Sequence, residues 1–204
     1  MNHREIYVIF SPGRTGSHII LEAISGIANF PGGLCNATCY WSSNNFTPYD
    51  SYSTSENIAI HTHNLQKTIN DLHLDPKDIT LILSYRKNLF AQTMSRIVAE
   101  LSNEWNGKDY SDKKIEPVYI SKNEFKSKLM DLRRSTITNL TEYKKVVTMF
   151  YEDLIISGPK YIASMLDIKY NETQVGKIYR KSPYSYKDCI LNWQELYKEF
   201  CESN

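Results

Sequence analysis

Apolar and polar residues alternate along the chain in blocks that predict strands followed by helices. Residues 6–10, IYVIF, form a short run of β-branched and aromatic side chains, the signature of a buried parallel strand. After a Ser-Pro-Gly break, Ile19, Ile20, Ala23, Ile24, Ile27 and Ala28 fall on one side of a helix. A second strand, within 57–65, ends in His61 and His63, whose spacing puts both on one face of an extended chain. Residues 79–100 repeat the strand-then-helix pattern, with Leu89, Phe90, Met94, Ile97, Val98 and Leu101 at helical spacing. A Ser-Lys-Asn-Glu capping box at Ser121 opens a predicted helix over 121–143, with Phe125, Leu129, Leu132 and Ile137 among its apolar positions. A last strand lies within 145–154, and beyond Gly158 and Pro159 a short helix presents Tyr161, Ile162, Met165 and Leu166. Two stretches, 31–56 and 103–117, show neither period. The alternation predicts an α/β protein with a mainly parallel sheet, and 204 residues suffice for one such domain.

The chemistry begins where the first strand breaks. Arg14, Thr15, Gly16 and Ser17 stand between strand and helix, where small residues let the backbone turn tightly at a helix end that carries partial positive charge. An anion belongs there. The segment is not a GxxxxGK[ST] loop, because Ser17 and His18 follow Gly16 where that motif has Lys and then Ser or Thr. The cation comes earlier, as Arg14, and a second one, Arg86, stands at the end of the third strand.

These segments, taken in order, resemble sulfotransferases that use 3′-phosphoadenosine 5′-phosphosulfate. Arg14-Thr15-Gly16-Ser17 resembles the family's 5′-phosphosulfate loop, a Lys or Arg followed by Ser or Thr, Gly, and Thr or Ser. Thr62 and His63 match Thr-His of the strand-end Lys-Thr-His-Leu-Pro, with His61 in place of Lys and Asn64 intruding before Leu65. Arg86 followed nine residues later by Ser95 resembles the pair that grips the 3′-phosphate, with the spacing of bacterial carbohydrate sulfotransferases of the trehalose type. Tyr151-Glu152-Asp153-Leu154 is similar to a recurrent segment that fixes a strand end, and Arg180, Lys181 and Ser182 to a late loop on the 3′-phosphate. The resemblance runs from residue 6 to about residue 196.

It implies a three-layer P-loop-type α/β fold, its central mainly parallel sheet flanked by helices, and transfer of a sulfuryl group to a hydroxyl. Thr15, Gly16 and Ser17 would hold the 5′-phosphate, and His63 would take the acceptor's proton, a task suited to an imidazole with an unperturbed pKa of about 6.5. Arg14 stays charged at ordinary pH, so its role would be electrostatic only. No metal is demanded. The loops at 31–56 and 103–117 carry scattered aromatics and are expected to bind the acceptor or act as lids.

Composition narrows the field without changing it. With 24 Lys and Arg against 23 Asp and Glu the net charge is +1, which argues against a nucleic-acid surface or general membrane adsorption. No apolar run is long enough to span a membrane and no leader precedes the first strand, so a cytoplasmic protein is expected. Cys35, Cys39, Cys189 and Cys201 do not form a disulfide framework. Cys35 and Cys39 could join His61 and His63 around zinc, but the histidines fit the base position better. Two other functions fit parts of the pattern. One is a P-loop kinase of small metabolites, with Glu152 or Asp153 positioning magnesium; it lacks the Lys after Gly16. The other is a silent cofactor-binding relative, motivated by the departures at His61 and Asn64. The acceptor, whether a small molecule or a carbohydrate, and the oligomeric state are not encoded in any motif.

Overall fold

Alternation within the first strand decides which helix covers which face. The computed structural model describes residues 5–26, 35–39, 57–103, 115–134, 139–168, 170 and 185–202. These residues divide into two compact units, one within Met1–Lys87 and Ile137–Ile178, the other within Asn88–Thr136 and Tyr179–Asn204.

The first unit is built on a five-stranded sheet of β1 (Ile6–Phe10), β2 (Cys35–Cys39), β3 (Asn57–Thr62), β4 (Ile79–Tyr85) and β5 (Lys145–Phe150), in the order β2-β3-β1-β4-β5. Every pairing is parallel. Central β1 is buried throughout, and its side chains go to two separate cores. Tyr7 and Ile9 join Ala59, Ile82, Val147 and Met149 beneath α1 (Ser17–Gly26), α5 (Tyr151–Ser157) and α6 (Pro159–Leu166). Ile6, Val8 and Phe10 join Ile58, Ile60, Leu81 and Leu83 beneath α2 (Leu65–Asp71). Helices on both faces of a parallel sheet make a three-layer α/β architecture. From β1 the chain first crosses to the β2 side and later returns to the β4 side, so β1 marks the switch point, and the loops at the strands' C-terminal ends there are where such sheets bind ligands.

The second unit packs α3 (Leu89–Ser102) against α4 (Lys122–Arg134), with α7 (Tyr186–Cys189) and α8 (Trp193–Tyr197) contributing to the same core. Phe125 is fully buried among Phe90, Met94, Ile97, Ile120 and Leu196. Asn192 binds both the N–H and the C=O of Ile120 through its amide, tying the end of the chain to the segment before α4.

Three expectations need correction. The aperiodic stretch 31–56 contains strand β2, which pairs with β3 through its backbone; a sheet-edge strand needs only that pairing, so CNATC carries no apolar signature. The helix predicted over 121–143 ends at Arg134; residues 139–144 form a turn leading into β5. Ser121 does cap it, its Oγ accepting the Glu124 N–H at 3.2 Å. Helix α2 was not anticipated. Asn64, an intruder in the strand-end motif, is its N-cap and accepts the Lys67 N–H at 3.1 Å. The rest of the 31–56 and 103–117 stretches falls largely outside the described residues. Among the described residues, no helix is long and apolar enough to cross a membrane.

Replacing Asn64 with Ala should lower stability by about 0.5–2 kcal/mol and replacing it with Gly by only a few tenths, because Gly keeps the cap's backbone freedom. Urea denaturation with an unchanged slope would register the difference as a shift of midpoint.

Candidate functional site

The register of the sheet brings four segments to one edge on the α1 side. Ile9 pairs with His61 and with Ile82, and Ile82 with Val147. Paired residues of parallel strands face the same way, and alternate residues share a face. His61 and Ser84 therefore lie on the face covered by α1, at the end where α1 begins, and Tyr151, the first residue of the helix after β5, stands beside Gly16 at the same end.

The β1–α1 loop is held from below. Ser84, fully buried at the end of β4, donates from Oγ to the Thr15 carbonyl at 3.1 Å and stands 2.8 Å from the Thr15 hydroxyl. Thr15 is itself fully buried, so its hydroxyl belongs to the floor of the loop. Gly13, Arg14 and Gly16 have φ of 93°, 57° and 78°. Runs of such geometry turn successive amides toward one concavity, and at Arg14 the left-handed backbone costs roughly 1–2 kcal/mol that no glycine relieves. Gly16 has a further reason to be glycine: a β-carbon there would stand 2.6 Å from Tyr151 Cδ2. Its carbonyl accepts the N–H groups of Ile19 and Ile20, which starts α1 with the Gly16, Ser17 and His18 amides ahead of the intrahelical ladder.

Tyr151 serves a second neighbour. The Arg86 guanidinium lies over its ring, 4.0 Å from the centroid, a cation–π contact that holds the plane of the cation. One aromatic ring thus sets both the closeness of the loop at Gly16 and the position of Arg86. The two acidic residues beside it face Lys87: Glu152 accepts the Lys87 backbone N–H at 3.0 Å, and Asp153 accepts from Lys87 Nζ at 2.6 Å. The Asp153 hydrogen bond raises the pKa of that exposed ammonium.

The histidines meet the same loop. His63, exposed, places Nδ1 2.7 Å from the Ser11 carbonyl oxygen. A carbonyl only accepts, so Nδ1 carries a proton, and of the two neutral tautomers this contact selects the one with its lone pair on Nε2. His61 is buried, with Nε2 3.2 Å from Ser11 Oγ. Its ring packs edge-on against His63 at 4.7 Å and against His18 of α1 at 4.8 Å. Among the described residues, no three His, Cys, Asp or Glu side chains are arranged to hold a metal.

Of the residues singled out from sequence, the first unit thus brings together Arg14, Thr15, Gly16, Ser17, His63 and Arg86. Ser95 is half-buried on α3 of the second unit. Arg180, Lys181 and Ser182 lie outside the described residues. Sequence patterns did not point to Ser11, His18 or Ser84. Ser84 left one trace, a small polar residue inside the apolar run of β4 that faces the same way as Ile82.

Gly16→Ala should destabilise the protein by about 1–3 kcal/mol through overpacking against Tyr151 together with its positive φ. Tyr151→Ala in the same chain should recover part of that loss, and a double-mutant cycle measures the coupling. Ser84→Ala, which leaves the buried Thr15 hydroxyl without its partner, should lower stability by about 1–3 kcal/mol in the same assay.

No family model, no curated protein and no solved structure matches the chain, so its chemistry is argued from these residues and their geometry.

Proposed function

We propose that the chain is a sulfotransferase that moves a sulfuryl group from 3′-phosphoadenosine 5′-phosphosulfate to a hydroxyl acceptor. One observation carries the proposal: His63 is hydrogen-bonded through Nδ1 to the backbone of the same loop that presents Arg14 and the α1 amides. A base with its lone pair on Nε2 is thereby tied to an anion cradle, the pairing that group transfer from a phosphate-linked donor to a hydroxyl requires.

The donor's chemistry fits the residues present. Its 5′-phosphate matches the Gly16 and Ser17 amides at the start of α1, where the helix dipole favours negative charge. Its 3′-phosphate matches Arg86, a planar cation already held over Tyr151 and able to meet two phosphate oxygens at once. Ser95, Arg180, Lys181 and Ser182 belong to the proposal by resemblance alone. The donor supplies an activated sulfuryl group whose bridging S–O bond is the one that breaks. His63 Nε2 takes the proton of the acceptor hydroxyl as that oxygen bonds to sulfur, and adenosine 3′,5′-bisphosphate leaves. Arg14 offsets the negative charge growing on the bridging oxygen, and positioned charge is the main catalytic resource in such transfers.

The kinase alternative needs an acid at the end of β5 to position magnesium. Glu152 and Asp153 hold Lys87 instead, which weighs against that role.

Adenosine 3′,5′-bisphosphate should raise the melting temperature without magnesium, by more than adenosine 5′-phosphate does, since a ligand at 100 times its Kd adds about 2.7 kcal/mol to the folded state. A shift seen only with ATP and magnesium would replace this function with a kinase. With an acceptor in hand, His63→Ala should lower kcat by about 10²–10⁴, and Arg14→Ala by about 10²–10³. Near-normal turnover of either variant removes that residue from the mechanism.

A further inference from the structure

The Ser11 hydroxyl has more neighbours than it can donate to. Its oxygen lies 3.2 Å from Ser17 Oγ, 3.2 Å from His61 Nε2, 3.3 Å from His63 Nδ1 and 3.4 Å from the Gly13 amide nitrogen. A hydroxyl holds one proton and two acceptor lone pairs. The Gly13 N–H can only donate to it. The one proton on His63 Nδ1 goes to the Ser11 carbonyl at 2.7 Å, the shorter of its two contacts, and fills no lone pair of the hydroxyl. One lone pair then has a partner, and the Ser11 proton goes to one of Ser17 Oγ and His61 Nε2 while the second lone pair accepts from the other.

Each choice dictates the state of the neighbours. Ser17 is buried, and its hydroxyl has Ser11 Oγ as its one side-chain contact among the described residues. With the Ser11 proton on Ser17, the Ser17 hydroxyl keeps its own proton for another acceptor at the start of α1, and His61 can face Ser11 only as Nε2–H. With the Ser11 proton on His61, Nε2 is an acceptor and Ser17 turns its proton back toward the open lone pair of Ser11 Oγ. Ser11 and His61 are buried, so the choice is made inside the protein.

We propose that Ser11 is a hydroxyl switch that couples an oxyanion at the α1 N-terminus to the tautomer of His61. An anion that accepts the Ser17 proton draws the Ser11 proton onto Ser17 Oγ and leaves His61 in its Nε2–H form. The ring of His61 packs edge-on against His63, so occupation of the cradle is communicated to the base. Ser11 acts through its neighbours and is a positioning residue. The proposal rests on the function above to the extent that the anion is the donor's 5′-phosphate.

The test is a titration of 15N-labelled protein with adenosine 3′,5′-bisphosphate, following the Gly16 and Ser17 backbone amides together with the long-range 1H–15N pattern of the His61 ring, which reports its tautomer. The amides should shift and His61 should move to the Nε2–H pattern; in Ser11→Ala the amide shifts should persist and the His61 response should be lost. Ser11→Cys, which keeps a γ atom but is a weak donor, gives the same readout should the Ala variant fail to fold. Amide shifts without a His61 response, or a response that survives both substitutions, overturn the switch and leave the cradle standing. Absence of amide shifts overturns the cradle and the switch with it.

Discussion

Parity in a parallel sheet is the constraint on which the site depends. Strand pairing sets Ile9 beside His61 and Ile82, and Ile82 beside Val147, so every second residue toward the C-terminal edge inherits the face beneath α1. One residue of slip in β3 would send His61 to the α2 face and bring Thr62 into its place. The register is secured by the same side chains that form the cores. Tyr7 and Ile9 cannot exchange faces with Val8 and Phe10 without emptying both cores at once. The placement of polar groups at the edge is therefore a by-product of apolar packing several residues away.

Burial then turns that placement into rigidity. Ser11, Thr15, Ser17, His61 and Ser84 are all buried beneath the loop, and each finds a partner within the group. A buried polar group without a partner is expensive, so such a network tolerates few alternative geometries. The left-handed backbone at Arg14 persists because the groups on either side of it are fixed in this way. Tyr151 adds the lateral limit, with Gly16 on one side and the Arg86 guanidinium over its ring.

What was legible in the sequence is what periodicity and turn chemistry encode. The strands β1, β3, β4 and β5 announce themselves as apolar runs, and α3 by its helical spacing. The loop 11–17 shows itself by glycine and hydroxyl residues at a strand-to-helix junction. Strand β2 was hidden because edge pairing asks little of side chains. Helix α2 was hidden because its cap, Asn64, directly follows the strand-end Thr62-His63, and its buried set of Leu65, Thr68 and Ile69 is too short to display a period. Ser11, Ser84 and His18 were hidden for a different reason. Their significance lies in contacts between segments far apart in sequence, as with Ser84 and Thr15, 69 residues apart, and no local pattern reports those.

The chain leaves the sheet after β4, contributes α3 and α4 to the second unit, and returns for β5; the second unit is completed only by α7 and α8. This order matters during synthesis. Every strand of the sheet has been translated once β5 is made, whereas α3 and α4 must wait for Ile190 and Leu196 before their shared core can close. A ribosome paused between α6 and α7 would thus carry a chain able to finish its sheet while Phe90 and Phe125 still lack part of their cover. Domains tend to fold as units in the order in which they emerge, and exposed apolar surface is where aggregation starts. The apolar surface of the second unit is therefore the last to be covered as the chain is made.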